Sequence, residues 1–248
     1  MSAYEALAAS YDRLTNDVEY DAVLDYLEQI LQREGAAPET VLDLCCGTGS
    51  MSIRMAQKGY RVIGLDASAD MLAIAFDKAT QLPQEQRPFF VCQTAQKLKL
   101  PQKTDLVFSG LDSLNYLTNP KDCEAAVRRV YKSLHRGGLF VFDLNTPAKL
   151  RSMDGQVFLD EDEEVYCVWR GEYDAKSRIC TYAMDLFQRH GPVWVRSLEE
   201  HQEYAYSISQ MMEFLVKAGF TGIKVYGDRR LEAPQEGEQR IYFVAKKE

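Results

Sequence analysis

Two acidic residues and two glycines carry the clearest chemical signal in the chain. The segment Val41-Leu42-Asp43-Leu44-Cys45-Cys46-Gly47-Thr48-Gly49-Ser50 is a short apolar run that breaks into a glycine-rich turn. At the carboxyl end of a strand, such a turn lets backbone approach a ligand closely. The helix that follows points its free N–H groups at the same place. A second apolar run, Arg61-Val62-Ile63-Gly64-Leu65, ends in Asp66. A carboxylate there can accept both hydroxyl protons of a ribose, so the two features together point to a nucleoside-containing ligand.

The same residues narrow the choice of ligand. A P-loop requires Lys after its last glycine, and Ser50 stands there instead. A dinucleotide fingerprint wants a third glycine where this chain has Ser52, which counts against an NAD-dependent oxidoreductase. The turn carries Asp43 and no basic residue. It therefore suits a ligand with a ribose, no phosphate and a positive charge, and the sulfonium and α-ammonium of S-adenosylmethionine meet those terms.

Elements must hold this turn in place, and the hydrophobic pattern supplies them. Tyr20, Val23, Leu24, Leu27, Ile30 and Leu31 recur at helical spacing until Gly35 and Pro38. Strand-like runs follow at 40–44, 61–65, 89–92, 106–108 and 139–142. Between them Ser50–Lys58 reads as a helix, and Ser68 caps another that carries Met71, Leu72 and Ala75 on one face. Asn119 and Pro120 open a further helix. Its basic end (Arg128, Arg129, Lys132, His135, Arg136) runs up to Gly137-Gly138. Apolar strands separated by helices imply an α/β fold with a parallel sheet. From about Val157 to Tyr206 the period changes to two, with turns at 173–176 and 189–192, as in an antiparallel meander. A helix at 207–218 and two closely spaced, antiparallel strands at 222–225 and 241–244 complete the pattern.

The chain has 248 residues, 46% hydrophobic and 27% charged, the size of one large domain or one domain with an insertion. With 29 basic and 37 acidic residues the net charge is −8, which disfavours nucleic acid and suits a neutral or cationic small ligand. No apolar stretch approaches the roughly 18 residues of a membrane span, and no signal peptide is recognisable. Six cysteines at irregular spacing indicate neither a disulfide framework nor a zinc site, so no metal is expected and a cytoplasmic setting with reduced thiols is.

In these residues the chain resembles the class I S-adenosylmethionine-dependent methyltransferases, over about 190 of its residues (1–146 and 206–248). Motif I is Val41–Gly49. The acidic residue after the second strand lies in Gly64-Leu65-Asp66-Ala67-Ser68, and the fourth-strand motif runs from Asp105 through Leu111-Asp112 to Tyr116. Tyr4-Glu5, Tyr11-Asp12-Arg13-Leu14 and the antiparallel insert are similar to the bacterial small-molecule branch of that family. The resemblance implies a Rossmann-like, seven-stranded, mostly parallel sheet in the order 3-2-1-4-5-7-6. An antiparallel β insertion at 147–205 would cover the substrate.

It also implies site residues. Asp43, Cys45, Gly47, Thr48 and Gly49 would hold the methionine moiety, with Cys45 replacing the family's first glycine in a turn expected to close all the same. Asp66 would bind the ribose and Ala67 would lie against the adenine, with Met71 a further cofactor-binding residue. Where the family often has an acidic residue to read the adenine amine, the chain has Thr94, Ala95 and Gln96. Leu111 and Asp112 would line the sulfonium end; apart from the resemblance, the Tyr11 ring could cover the sulfonium face by cation–π attraction. No catalytic residue is assigned; Tyr11 and His201 are the candidates, His201 lying in a strand of the insert as a base that a lid could present, against the plainer reading of a solvated side chain.

The remaining features have plainer readings. Cys45-Cys46 reads as two small buried residues rather than a redox pair. Asp160–Glu164 reads as a solvated charged turn rather than a metal site. Tyr166, Trp169, Tyr173, Tyr182, Trp194, Tyr204 and Tyr206 could pack the meander, line an acceptor pocket or form a dimer face. Tyr116 and Asn145 could face the ligand or staple loops. The acceptor is expected to be a small molecule and the protein a monomer or homodimer. The alternative is a non-catalytic cofactor-binding protein on the same scaffold.

Overall fold

A computed structural model describes residues 7–248 of the chain; the Tyr4-Glu5 pair lies outside the described residues. The first helices are α1 (Ala8–Leu14) and α2 (Tyr20–Glu34), the latter ended by Gly35 in a left-handed conformation. β1 (Thr40–Leu44), α3 (Ser50–Gln57), β2 (Arg61–Asp66), α4 (Ala69–Ala79), β3 (Phe89–Cys92), β4 (Thr104–Ser109), α5 (Pro120–Ser133) and β5 (Leu134–Asn145) then alternate. A short α6 (Pro147–Ser152) leads into β6 (Val157–Glu161), β7 (Val165–Asp174), β8 (Ile179–His190) and β9 (Val193–Tyr204). α7 (Ile208–Ala218), β10 (Thr221–Gly227) and β11 (Arg240–Lys246) close the fold.

Seven strands form one sheet in the order β10-β11-β5-β4-β1-β2-β3, the 3-2-1-4-5-7-6 arrangement once the four strands of the insert are set aside. β3 through β5 pair in parallel, whereas β11 runs antiparallel to both its neighbours. Both faces are buried, as strands without polar alternation require. On one face Leu42, Phe140, Phe142 and Phe243 pack on Val127 and Val130 of α5 and Leu215 of α7. On the other, Val41, Leu106, Val141 and Val244 pack on Leu27 and Ile30 of α2 and Met55 of α3. Three helix starts match the sequence reading. Ser68, Asn119 and Ser207 accept backbone N–H bonds at the first turns of α4, α5 and α7.

One boundary differs. The sequence places His135 and Arg136 in the last turn of a helix, yet α5 stops at Ser133 and 134–138 belongs to β5. Lys247 explains this: its Nζ donates to the carbonyls of Tyr131 (2.6 Å) and Leu134 (2.8 Å), closing the helix end from outside. The backbones of Gly137 and Gly138 also pair with Lys247, drawing the segment into the sheet.

The insert is a second, four-stranded antiparallel sheet in the order β6-β7-β8-β9. One of its faces buries Val165, Cys167, Met184 and Leu186 against Leu7, Tyr11 and Leu14 of the α1 segment. α1 also reaches the main sheet's turn. Asp12 accepts from Thr48 Oγ1 (2.6 Å) and Lys78 Nζ (2.6 Å). A seven-residue helix is thus wedged between the two sheets.

Candidate functional site

The carboxyl ends of β1, β2 and β4 open into a cleft of about 550 Å³, within the usual range for a small-molecule site. Of the residues singled out from sequence, Tyr11, Asp43, Cys45, Gly47, Thr48, Asp66, Ala67, Met71, Thr94, Ala95, Gln96, Leu111 and Asp112 form its wall. Gly49 does not. It has φ +73° at the start of α3, and an added Cβ would lie 2.9 Å from that of Ala75, so its part is to let the turn pack on α4. Thr48 lines the cleft, but its hydroxyl is committed to Asp12. The turn closes as expected with Cys45 in the first glycine's place, although Cys45 adopts φ +61°, which is unfavourable for a side chain. Burial pushes the thiols of Cys45 and Cys46 up, away from the reactive thiolate, which fits two packed residues.

Asp66 is set before any ligand arrives. Its Oδ2 accepts the Gly47 N–H at 2.8 Å and its Oδ1 the Ser68 N–H at 2.8 Å, leaving lone pairs of both oxygens for hydroxyl donors. Burial raises its pKa, and the backbone donors oppose that rise. Asp43 is buried, and its Oδ2 accepts the Ser52 hydroxyl at 2.5 Å. The position where a dinucleotide-binding turn needs glycine therefore serves here to hold a carboxylate. Burial pushes Asp43 up to about 7, against that hydrogen bond.

Two orphaned polar atoms test whether these residues fit an adenosyl ligand. Thr94 Oγ1 and Gln96 Oε1 are buried in the wall with no partner among the described residues, on either side of Ala95. Buried polar atoms normally find partners, so this stretch is left waiting for donors and acceptors such as those of a purine edge. With Asp66 placed for ribose hydroxyls, the residues fit S-adenosylmethionine.

At the opposite end Leu111 and Asp112 are both left-handed, at φ +57° and +53°. Two such residues in succession are strained and need support. Arg240, the first residue of β11, supplies it. Its guanidinium bonds Asp112 Oδ1 (2.6 Å) and Asp143 Oδ2, and Asp143 Oδ2 also accepts the Asp112 N–H at 3.0 Å. Asp143 is fully buried, which raises its pKa while Arg240 acts against the rise. Arg240 and Asp143 were not read from sequence. A signal exists nonetheless, since an antiparallel strand beside β5 must begin where β5 ends, at the ligand side.

His201 is not brought to the cleft. Its side chain is buried in the insert's inner face, with Nε2 2.9 Å from Glu199 Oε2 and the ring 6.1 Å from that of Tyr116. Neither the presented base nor the solvated side chain describes it. Tyr11 and Tyr116 do line the cleft, and burial pushes the Tyr11 hydroxyl up, so Tyr11 offers a neutral aromatic face. Asn145 is a staple. Its Nδ2 donates to the buried Glu203 of β9 at 2.9 Å, while Asn115 Nδ2 reaches the carbonyls of Asn145 and Tyr204. None of the seven insert aromatics lines the cleft. Trp169 packs beside α1 and Tyr206 is fully buried, whereas Tyr166 and Trp194 are exposed.

A doubly wound sheet with a carboxylate at the tip of β2 and a left-handed turn at β1 defines a nucleoside-cofactor enzyme of the Rossmann-like class. Residues 41–138 match the methyltransferase domain family. A Geobacillus sp. (strain WCH70) protein described as a methyltransferase is 33% identical over 247 residues, 98% of this chain and 99% of that one. A crystal structure of an S-adenosylmethionine-dependent methyltransferase from Clostridium acetobutylicum superposes with a TM-score of 0.87 at 27% identity, covering 98% of both chains. The sugar N-methyltransferase KedS8 of Streptoalloteichus shares the fold, with a TM-score of 0.79 at 18% identity, over 94% of this chain and 90% of its own. The chain belongs to the class I S-adenosylmethionine-dependent methyltransferases. Nothing in these comparisons favours an oxidoreductase or a non-catalytic scaffold.

Proposed function

We propose that the protein methylates a small, neutral or cationic acceptor held between the cleft and the insert, residues 147–205 acting as the cap. The observation that carries this reading is the Asp66 carboxylate, held by two backbone donors with the unpartnered Thr94 and Gln96 side chains in the same wall. When bound, S-adenosylmethionine supplies a methyl group already activated on a sulfonium. What remains for the chain is alignment and the exclusion of water. Asp66, Ala67, Met71 and the 94–96 stretch would hold the adenosine, and Asp43 with Gly47 the amino-acid end. Tyr11 and Leu111 would enclose the reacting atoms. Asp43, Asp66 and Asp112 outnumber Arg240 among the charged residues of the wall, which favours cations over anions. The six free thiols suit the cytoplasmic setting proposed for the chain; no described helix is long and apolar enough to cross a membrane.

Incubation with methyl-labelled S-adenosylmethionine and a panel of amines, amino sugars, phenols and carboxylic acids tests the reading. Label should enter a small amine or hydroxyl compound. Label found only in protein or nucleic acid would overturn it.

The buried Asp43 adds a pH signature. In the free protein its carboxyl titrates near 7, so it is mostly protonated in mild acid. A cation seated against it favours the carboxylate and draws that value down, so binding releases a proton. Affinity for the cofactor is therefore expected to fall as pH drops from about 7 to about 5, by up to roughly tenfold per unit. Over that range the ligand's α-ammonium stays charged. Calorimetry across it should show the slope in the native protein and a clearly shallower profile in Asp43→Asn; a native slope that the substitution leaves unchanged would contradict the role given to Asp43.

A further inference from the structure

The insert's sheet has a second face, turned away from α1 and the main sheet. Residues directly opposite each other in an antiparallel ladder share a face, so the registers define its rows. The central row is Leu159, Val168, Asp185 and Leu198 across β6 to β9. On one side lies Glu161, Tyr166, Phe187 and Arg196, and on the other Val157, Arg170, Ala183 and Glu200. Exposure here is high for apolar side chains: Val157 64%, Leu159 52% and Leu198 53%. Tyr166 and Trp194 stand on the same face, and the Tyr166 and Phe187 rings meet edge to face at 5.9 Å. In the middle Asp185 is clamped between the guanidinium groups of Arg170 and Arg196, which fixes both arginines on the surface.

We propose that this face is a two-fold interface with a second copy of the same chain. Its charges are self-complementary. A two-fold axis in the interface plane either exchanges β6 with β9 or exchanges the two flanking rows. The first places Arg196 opposite Glu161 of the second copy, and the second places it opposite Glu200. In both, leucines of the central row meet leucines. Isologous packing needs just this match of a patch with itself. The four strands present roughly 600 Å² of sheet plane at about 3.3 Å per residue and 4.8 Å between strands, and side-chain relief adds to that. A stable interface uses about 800 Å² per partner. Sheets packed face to face at a small angle accommodate either arrangement.

Light scattering and sedimentation of the full chain at about 10–100 µM test the proposal. The native protein should be a dimer. Leu198→Asp should weaken association at least about tenfold while leaving the far-ultraviolet circular dichroism and cofactor affinity unchanged, since Leu198 lies outside the cleft. Arg196→Glu should dissociate the dimer, and adding Glu161→Arg or Glu200→Arg should restore it, the rescuing partner reporting which axis operates. A native monomer at the highest concentration overturns the proposal. So does a dimer indifferent to both substitutions. A monomer that floats with phosphatidylglycerol vesicles would assign the face to a lipid surface instead.

Discussion

Asp66→Ala should raise the dissociation constant for S-adenosylmethionine by at least about 100-fold while leaving the chain folded. Hydrogen bonds to a charged group are each worth about 1.5–3 kcal/mol, and two ribose hydroxyls would be lost together. The substitution also releases the N–H groups of Gly47 and Ser68, which the carboxylate ties together. The turn would then lose a brace as well as its acceptor. Asp66→Asn should be nearly as damaging, because its NH2 would stand against one of those backbone donors. Calorimetry with the cofactor, beside a thermal melt, gives the measurement. An affinity within a factor of about three of the native protein's would remove the ribose role and, with it, the placement of the cofactor.

The second large effect concerns stability. Arg240→Met should lower the unfolding free energy by about 3–5 kcal/mol, since Asp143 is fully buried and Arg240 is its charge partner. Activity should fall further than cofactor affinity, because Leu111 and Asp112 would lose the guanidinium that braces Asp112. Adding Asp143→Leu should recover much of the stability by removing the unpaired charge, but not the activity. Denaturant unfolding of the single and double variants decides it. A single variant within about 1 kcal/mol of native would mean that Asp143 is neutral and the brace unimportant.

These two residues also mark how far the sequence could be read. Asp66 lies 19 residues from Gly47, within one strand–turn–helix–strand unit, so its place in the cleft wall follows from local spacing. Arg240 reaches Asp112 across 128 residues, and only the register of β11 on β5 brings them together. Asp12 and Lys78 meet across 66 residues, from two helices whose facing surfaces no periodicity specifies. His201 shows a related limit. Alternation says that it shares a face with Glu199 but not which of the insert's two faces is covered. The sequence sets the end of α5 too late because the group that closes it, Lys247, is 113 residues beyond Leu134. The strands and the caps on Ser68 and Asn119 were legible, since strand runs and first-turn chemistry are written in neighbouring residues, whereas the sheet order came only with the family resemblance.

The wedged position of α1 couples the cleft to the insert. Asp12 ties it to Thr48 and Lys78, while Ser10 accepts from Gln188 and the Leu7 N–H donates to Glu199 in the insert. A helix of two turns has little stability of its own and persists through what it touches. It acts as a strut: without it the cleft would lose Tyr11 from its wall and the insert would lose its footing together. Whatever steadies one end of that strut stiffens the other, so a ligand held in the cleft would also steady the insert.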